Sequence, residues 1–268
     1  YTEEMAAEVS DLAARMGKDV HIHIKLDTGM SRLGFPICEE SADAIERISK
    51  MPHLQMEGMF THFAKADEED KSFTEKQLNA YLWMKQRLEE KGVQFSYYHC
   101  SNSAGIIDVP EANMDLVRAG ISIYGLYPSG EVNKANVPLK PALQWVSHVA
   151  HVKWVEAGTP VSYGGTYVTD HRTKLATIPV GYGDGYPRSL SNKGYVLIKG
   201  QKAPIRGRVC MDQMMVDVTE IDDVAYEDQV ILVGRDGEEE LPVEVLSDLS
   251  GRFNYEFVCD IGKRVPRE

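Results

Sequence analysis

The sequence predicts an α/β half followed by a β half, and three observations carry that expectation. Up to about residue 127, apolar residues at helical spacing alternate with single short strands. From Tyr127 to Pro141 the composition turns to Pro, Gly and Asn, the texture of a linker. From Leu143 onward, short alternating segments parted by turn residues replace the helices.

In chain order, Met5, Val9, Leu12 and Met16 recur at helical spacing and Gly17 stops the helix. Ile22 to Leu26 alternates with His21, His23, Lys25 and Asp27, the period of a strand. A helix over residues 39–50 carries Ala42, Ile45 and Ile48 on one face. Leu54 to Phe63 reads as a second strand ending in Thr61-His62-Phe63. A long helix follows, with Ser72 and Glu75 as a capping box, Leu78, Tyr81, Leu82 and Leu88 along its face, and Gly92 at its end. Tyr97 to Cys100 is a third strand, and Asp115 to Arg118 a weak fourth. Single strands between helices imply parallel pairing with right-handed crossovers. In the second half, strands are expected over 146–155, 174–180, 195–198, 203–209, 214–218 and 229–233, with one helix near 242–249. That pattern suits a mostly antiparallel β domain or barrel. Four strands cannot close an eight-stranded barrel. The first half is therefore either an open sheet or the second half of a barrel, and a start at Tyr1 inside an amphipathic helix favours the barrel of a longer protein.

Composition removes several classes of function. The formal net charge is −12 with no basic cluster to offset it, which argues against nucleic acid or anionic lipid as the main partner. No apolar run approaches the ~20 residues that span a bilayer. Cys38, Cys100, Cys210 and Cys259 are widely spaced and form no CxxC, so reduced cytosolic thiols are expected rather than a zinc site or disulfide framework. His21 and His23 share a strand face and could suit a metal, but no third ligand is evident. No GxGxxG follows a strand, which leaves a dinucleotide enzyme little support.

The densest chemistry is Lys25-Leu26-Asp27-Thr28-Gly29-Met30 with Arg32, where a strand runs into its loop, the place where α/β barrels put their chemistry. With it come Thr61-His62-Phe63, Asn102-Ser103, Arg118-Ala119-Gly120-Ile121, Val161-Ser162-Tyr163-Gly164, Gly181-Tyr182-Gly183-Asp184-Gly185, Arg208-Val209-Cys210-Met211-Asp212 and Arg264-Val265-Pro266-Arg267. In this order they resemble the alanine racemase family, the pyridoxal-phosphate enzymes with a β/α barrel and a C-terminal β domain. The resemblance implies the C-terminal half of a (β/α)8 TIM-type barrel over residues 1–127, binding pyridoxal 5'-phosphate. Residues 128–268 would form a mostly antiparallel β domain that contributes to the partner subunit's active site in a cytoplasmic homodimer. It also implies interconversion of L- and D-alanine for peptidoglycan by a two-base mechanism. The family's Schiff-base lysine lies in a Val-Lys-Ala-Asn-Ala-Tyr-Gly type motif, which none of the lysines here matches. The chain alone is therefore expected to be inactive, and its open strand edges to make it poorly soluble.

Residue by residue, Tyr163 matches the family's second base. A tyrosine with an unperturbed pKa near ~10 needs cationic or hydrogen-bonding neighbours for that work. His62 matches the histidine that contacts it, and Arg118 the arginine at the pyridine nitrogen. Arg32 matches the arginine near the cofactor phenolate oxygen and the substrate carboxylate, and Lys25 a lysine carbamylated in many members. Asn102, Ser103, Gly120 and Ile121 match the phosphate site; the plainer readings are a helix cap for Asn102 or Ser103 and a simple turn for Gly120. Met211 and Asp212 match residues entering the partner's site, Tyr182 an inner gate, and Asp67, Arg188 and Arg208 charges further out in the substrate channel. Lys263 departs from the pattern, because well-studied members carry there a tyrosine that touches the phosphate. The loss of that aromatic wall leaves serine, or a broader set of small amino acids, as the alternative substrate. A non-catalytic pyridoxal-phosphate-binding module is the rival from another class.

Overall fold

The computed structural model describes residues 1–268, which divide into compact units at Tyr1–Lys140 and Pro141–Glu268. The first begins with α1 (Glu3–Met16), where the Thr2 side chain accepts from the Met5 N–H at 3.2 Å and Gly17 at φ 60° ends the helix. Ala6, Ser10 and Ala13 form its buried side, while Met5, Leu12 and Met16 of its apolar stripe are exposed. Strands β1 (Val20–Asp27) and β2 (Phe35–Pro36), helix α2 (Glu39–Ser49), β3 (Leu54–Phe60), helix α3 (Ser72–Glu90), β4 (Tyr97–His99) and α4 (Ser103–Asp108) follow. The strands lie in the order β2-β1-β3-β4, all parallel. Ile24 and Leu26 of β1 pack with Ile45 and Ile48 of α2 and Tyr81, Met84 and Leu88 of α3 in one core. Alternation along β1 then puts His21, His23, Lys25 and Asp27 on the opposite face.

Several expectations are corrected here. The first turn of α3 has no capping box: Asp70 Oδ1 takes the Ser72 N–H at 2.9 Å instead, because the Asp precedes the helix by the right two residues. Leu82 is 42% exposed, one position off the buried stripe formed by Leu78, Tyr81 and Leu88. Residues 115–118 form no strand. Met114 at φ 44° turns the chain, after which only isolated bonds reach the neighbouring segment: Asp115 N to Tyr98 O at 3.2 Å and Arg118 N to Ser101 O at 3.0 Å. Residues 128–140, placed with the second domain from sequence, belong to the first unit. Val132 is buried in its core, Ser129 Oγ donates to Asp67 O at 2.7 Å, and Asn136 Nδ2 donates to Ile107 O at 3.0 Å.

The second unit holds β5 (Trp145–His148), β6 (His151–Val155), β7 (Pro160–Val161), β8 (Tyr167–Val168), β9 (Thr173–Ile178), β10 (Tyr195–Ile198), β11 (Gln201–Pro204), β12 (Met214–Asp217), β13 (Gln229–Asp236) and β14 (Glu239–Leu241). Helices α5 (Val243–Ser250) and α6 (Asn254–Asp260) close the chain, the latter unexpected from sequence. All pairings are antiparallel, in sheets β11-β10-β13-β14 with β5 also on β13, β12-β9-β6, and β7-β8. The expected single strand over 146–155 is two strands in different sheets. The corner comes at Val149 and Ala150, whose N–H groups donate to Asp228 O and Thr177 O.

Candidate functional site

The α/β unit gathers polar side chains where β1, β3 and β4 end. Arg118 is the hub. Its Nη2 donates to Thr61 O at 2.7 Å and Cys100 O at 3.1 Å, its Nη1 lies 2.7 Å from His99 Nδ1, and His62 Nδ1 is 3.4 Å from Nη2. Phe60 lies beneath it, stacked on His99 with ring centroids 4.9 Å apart. Burial pulls the proton affinity of Arg118 down, yet a guanidinium so well supplied with acceptors keeps its charge. That charge acts on its neighbours. Burial first, then Arg118, then Arg32 and Lys25, pushes His62 down to about 4. Burial, Arg118 and His23 do the same to His99, also about 4. Both histidines are therefore neutral near pH 7.

Lys25 projects from the same face. Its proton affinity is lowered by burial first; Asp27 opposes this, and Arg118 and Arg32 add to it. Its Nζ donates to Leu26 O at 2.5 Å, while Asp27 Oδ1 accepts from Gly29 N and Ser31 N, both at 3.0 Å. Asp27 thus folds the turn that carries the exposed Arg32, while its charge also acts on Lys25.

Beyond β4, Ser103 Oγ receives the N–H groups of Gly120 at 2.9 Å and Ser122 at 3.3 Å and lies 3.1 Å from Ser122 Oγ. Ile121, between these donors, is buried. A Cβ added to Gly120 would lie 3.6 Å from Ser103 Oγ, an ordinary contact on the side of the cradle. A phosphate that replaced Ser103 Oγ as the acceptor would meet both N–H groups and the two hydroxyls as donors. Asn102 caps α4: its Oδ1 accepts from Gly105 N at 3.0 Å, and its Nδ2 donates to Phe63 O at 3.3 Å and lies 3.5 Å from His62 Nε2. Its amide oxygen is thereby engaged by the backbone, in line with the plainer reading. Asp67 lies on the loop before α3, with its backbone carbonyl held by Ser129.

In the β unit, the remaining expected residues gather on linked loops. Ser162 sits at φ 64°, a position few non-glycine residues occupy, and its Oγ donates to Arg208 O at 2.7 Å. Tyr163 follows in a 3₁₀ turn, 71% exposed, with the Arg208 guanidinium over the adjacent Gly164. Tyr182 N donates to Cys210 O at 3.0 Å and Gly183 N to Met211 O at 2.6 Å, which ties the Tyr182 turn to the loop of the exposed Met211 and Asp212. Only glycine fits at 181, where a Cβ would lie 2.2 Å from Cys210 O. Asp184 locks the turn by accepting from Gly181 N at 2.9 Å and Arg264 Nε at 2.7 Å, and Gly262 N donates to Asp184 O at 2.7 Å, which brings the exposed Lys263 beside it. Arg188 is exposed too, and the turn it opens is tied through Ser191 Oγ to Val209 N at 3.0 Å.

Sequence reasoning did not single out Phe60, His99 or Ser122 for the site. His99 carried a usable signal, a histidine closing a parallel strand. Ser122 and Phe60 carried none, because their roles come from the folded neighbours of Ser103 and Arg118.

Known proteins match both units of the chain. Residues 1–128 match the family model for the alanine racemase N-terminal domain, and residues 142–268 that for the alanine racemase C-terminal domain. The alanine racemase of Clostridium tetani is 47% identical over 100% of this chain and 69% of its own length. The alanine racemase of Clostridium difficile 630 superposes with a TM-score of 0.95 at 42% identity, covering 99% of this chain and 68% of its own, and its cycloserine complex with 0.91 at 40%, with the same coverage. The Bartonella henselae alanine racemase, solved with covalently bound pyridoxal phosphate, gives 0.86 at 30%, over 100% of this chain and 71% of its own. With two family domains in order and relatives matched over more than two thirds of their length, the chain belongs to the alanine racemase family.

Proposed function

We propose that the protein carrying this chain interconverts L- and D-alanine with pyridoxal phosphate, as a cytoplasmic homodimer supplying D-alanine for peptidoglycan. The observation that carries the reading is Arg118, a charged guanidinium flanked by neutral histidines, within one unit with a Ser103–Gly120–Ser122 cradle fit for a phosphate. When bound, the cofactor withdraws electrons from the substrate's α-carbon and so makes its proton removable. The chain's own residues do the rest. Ser103, Gly120 and Ile121 would hold the phosphate, and Lys263 would offer a further point charge in place of an aromatic wall. Arg118 would offer the cofactor ring a hydrogen bond and no transferable proton, which would limit side reactions. His62, with its Nδ1 3.4 Å from Arg118 Nη2, stands between the guanidinium and the position proposed for the phenol of Tyr163 from the partner copy, whose oxygen it would orient. Tyr163 holds and returns one α-proton. Arg32 and the Met211 backbone N–H bind the substrate carboxylate, with Asp212 beside them. Tyr182 gates the inner channel, and Asp67, Arg188 and Arg208 line its outer part.

Lys25 is proposed to carry a carbamate. An amine pushed toward neutrality by burial and by Arg118 and Arg32 can add carbon dioxide, and the resulting anion would relieve the crowding of positive charge that the bare lysine creates.

No lysine of the 268 residues lies in the motif of the family's covalent lysine, so this polypeptide by itself is proposed not to racemise. The test is the rate of racemisation of L-alanine and L-serine by the natural gene product containing this chain. Alanine well ahead of serine supports the assignment. Equal rates point to the broader racemase that Lys263 leaves open, and cofactor binding without turnover points to the binding module.

A further inference from the structure

A second group of polar side chains lies on the same sheet face and takes no part in the roles above. His23 Nδ1 is 2.9 Å from His99 Nε2, and His23 Nε2 is 3.1 Å from Glu57 Oε2. His21 Nδ1 is 3.1 Å from the other oxygen, Glu57 Oε1. Two irregularities of backbone build this arrangement. The β1–β3 register pairs Ile22 with Met56 but His23 with Gly58, so Glu57 is the extra residue of a β-bulge, the device that re-aims a side chain within a sheet. At the next position a Cβ on Gly58 would lie 2.3 Å from His23 Nδ1. Only glycine leaves the His23 ring room to reach across β3 toward His99 on β4.

The proton positions along the chain are dictated from its ends. Arg118 has only N–H donors, so His99 Nδ1, at 2.7 Å from Nη1, must be the acceptor. His99, held neutral, then carries its proton on Nε2 and donates to His23 Nδ1. His23 in turn carries its proton on Nε2, where the Glu57 carboxylate accepts it. Each tautomer is the one that the next hydrogen bond requires, from the guanidinium to the carboxylate. We propose that His23 and Glu57 are positioning residues for Arg118: through the bulge at Glu57 and the gap at Gly58 they fix the His99 tautomer that gives the guanidinium its side-chain acceptor. The importance of this for turnover rests on the reading of Arg118 as the partner of the cofactor ring, whereas the hydrogen-bond order stands independently of it.

The chain of bonds is testable in the natural gene product with ¹⁵N-labelled histidine and arginine. Long-range ¹H–¹⁵N spectra at neutral pH are expected to show His99 and His23 both as Nε2–H tautomers, with a resolved, slowly exchanging Nη proton on Arg118. In His23→Leu the buried His99 Nε2–H loses its acceptor. His99 is expected to populate both tautomers and the Arg118 Nη signal to broaden, with kcat falling about tenfold while KM stays close to that of the unmodified protein, the size of effect that outer-shell partners of a site have elsewhere. Glu57→Leu is expected to reproduce the spectral change, and Glu57→Gln, whose amide oxygen still accepts from His23, to restore the original tautomers. Should His23→Leu fail to fold, the Leu and Gln variants at the partly exposed Glu57 decide the question. An Nδ1–H tautomer at either histidine in the unmodified protein overturns the proposal. So does a folded His23→Leu or Glu57→Leu with unchanged His99 and Arg118 signals. A protein with the expected tautomers but no racemisation would sink the assigned function and leave the bond order intact.

Discussion

The two units present their functional residues in opposite ways. In the α/β unit Arg118, His62 and His99 are partly or fully buried and electrostatically shifted: Arg118 has carbonyl acceptors on two segments, and both histidines are pushed to about 4. In the β unit the corresponding side chains are exposed, Tyr163 by 71% and Met211 by 57%, and what is held firmly is the backbone beneath them. One unit is already organised for chemistry. The other offers side chains on stiff loops and leaves their environment to be supplied, which is how a surface contributes to a partner's site. Under the proposed function, preorganised charge and a delivered proton carrier are different tasks carried by different folds.

Substitutions that treat the units unequally sharpen this contrast. The largest effect is expected from Tyr163→Phe, which removes a proton carrier and nothing that holds the fold. In the natural protein kcat should fall by about 10² to 10⁴-fold, the usual worth of a positioned acid–base group, with the melting temperature unchanged. A lower melting temperature would mean the exposed phenol is a structural group after all. Paired glycine substitutions come next. Gly181→Ala drives a Cβ to 2.2 Å from Cys210 O and should loosen the Tyr182 and Met211 loops, read as faster amide exchange there. Gly120→Ala meets only Ser103 Oγ at 3.6 Å, so the fold should survive while pyridoxal-phosphate affinity drops. Ser103→Ala leaves the Gly120 and Ser122 N–H groups without their acceptor and should destabilise the protein by about 1–3 kcal/mol, measured by denaturant unfolding, with a parallel loss of cofactor affinity.

The smallest effect is on pH dependence, and its sign follows from the histidines. His62 and His99 have folded values near 4 against an ordinary 6.5, so between those limits the unfolded chain binds more protons. Stability is fully present above 6.5 and is lost as pH falls from 6.5 through about 4. His99→Gln should flatten that part of the profile, read from denaturant unfolding over a series of pH values.

Much of the α/β unit was legible because each strand stands alone between helices with a clear apolar face, and the clustering of Lys25, His62 and Arg118 because they lie in short motifs near strand ends. What escaped the sequence depends on tertiary partners. The alternation of Val146 to Val155 runs unbroken through a corner that only the pairing of β5 with β13 and of β6 with β9 reveals. The Ser72/Glu75 cap lost to Asp70 because local patterns do not rank competing acceptors. The segment 115–118 has strand-like composition, but the positive φ of Met114 keeps it from a regular ladder. Within the site, Asn102 was legible as a cap. The cradle's second hydroxyl, Ser122, was not, because nothing local joins it to Ser103.

The central claim is that the organised site of one copy works with the loops of another. Its most direct test mixes two variants of the natural protein, Tyr163→Phe and Arg118→Leu, each inactive alone, under conditions that let subunits exchange. If the site is shared between copies, hybrids form half of a random mixture and each keeps one intact site of two, so about a quarter of the unmodified alanine racemisation should return. Activity that stays at the level of the separate variants, with subunit exchange confirmed, would contradict the account and place both residues in the same copy's site.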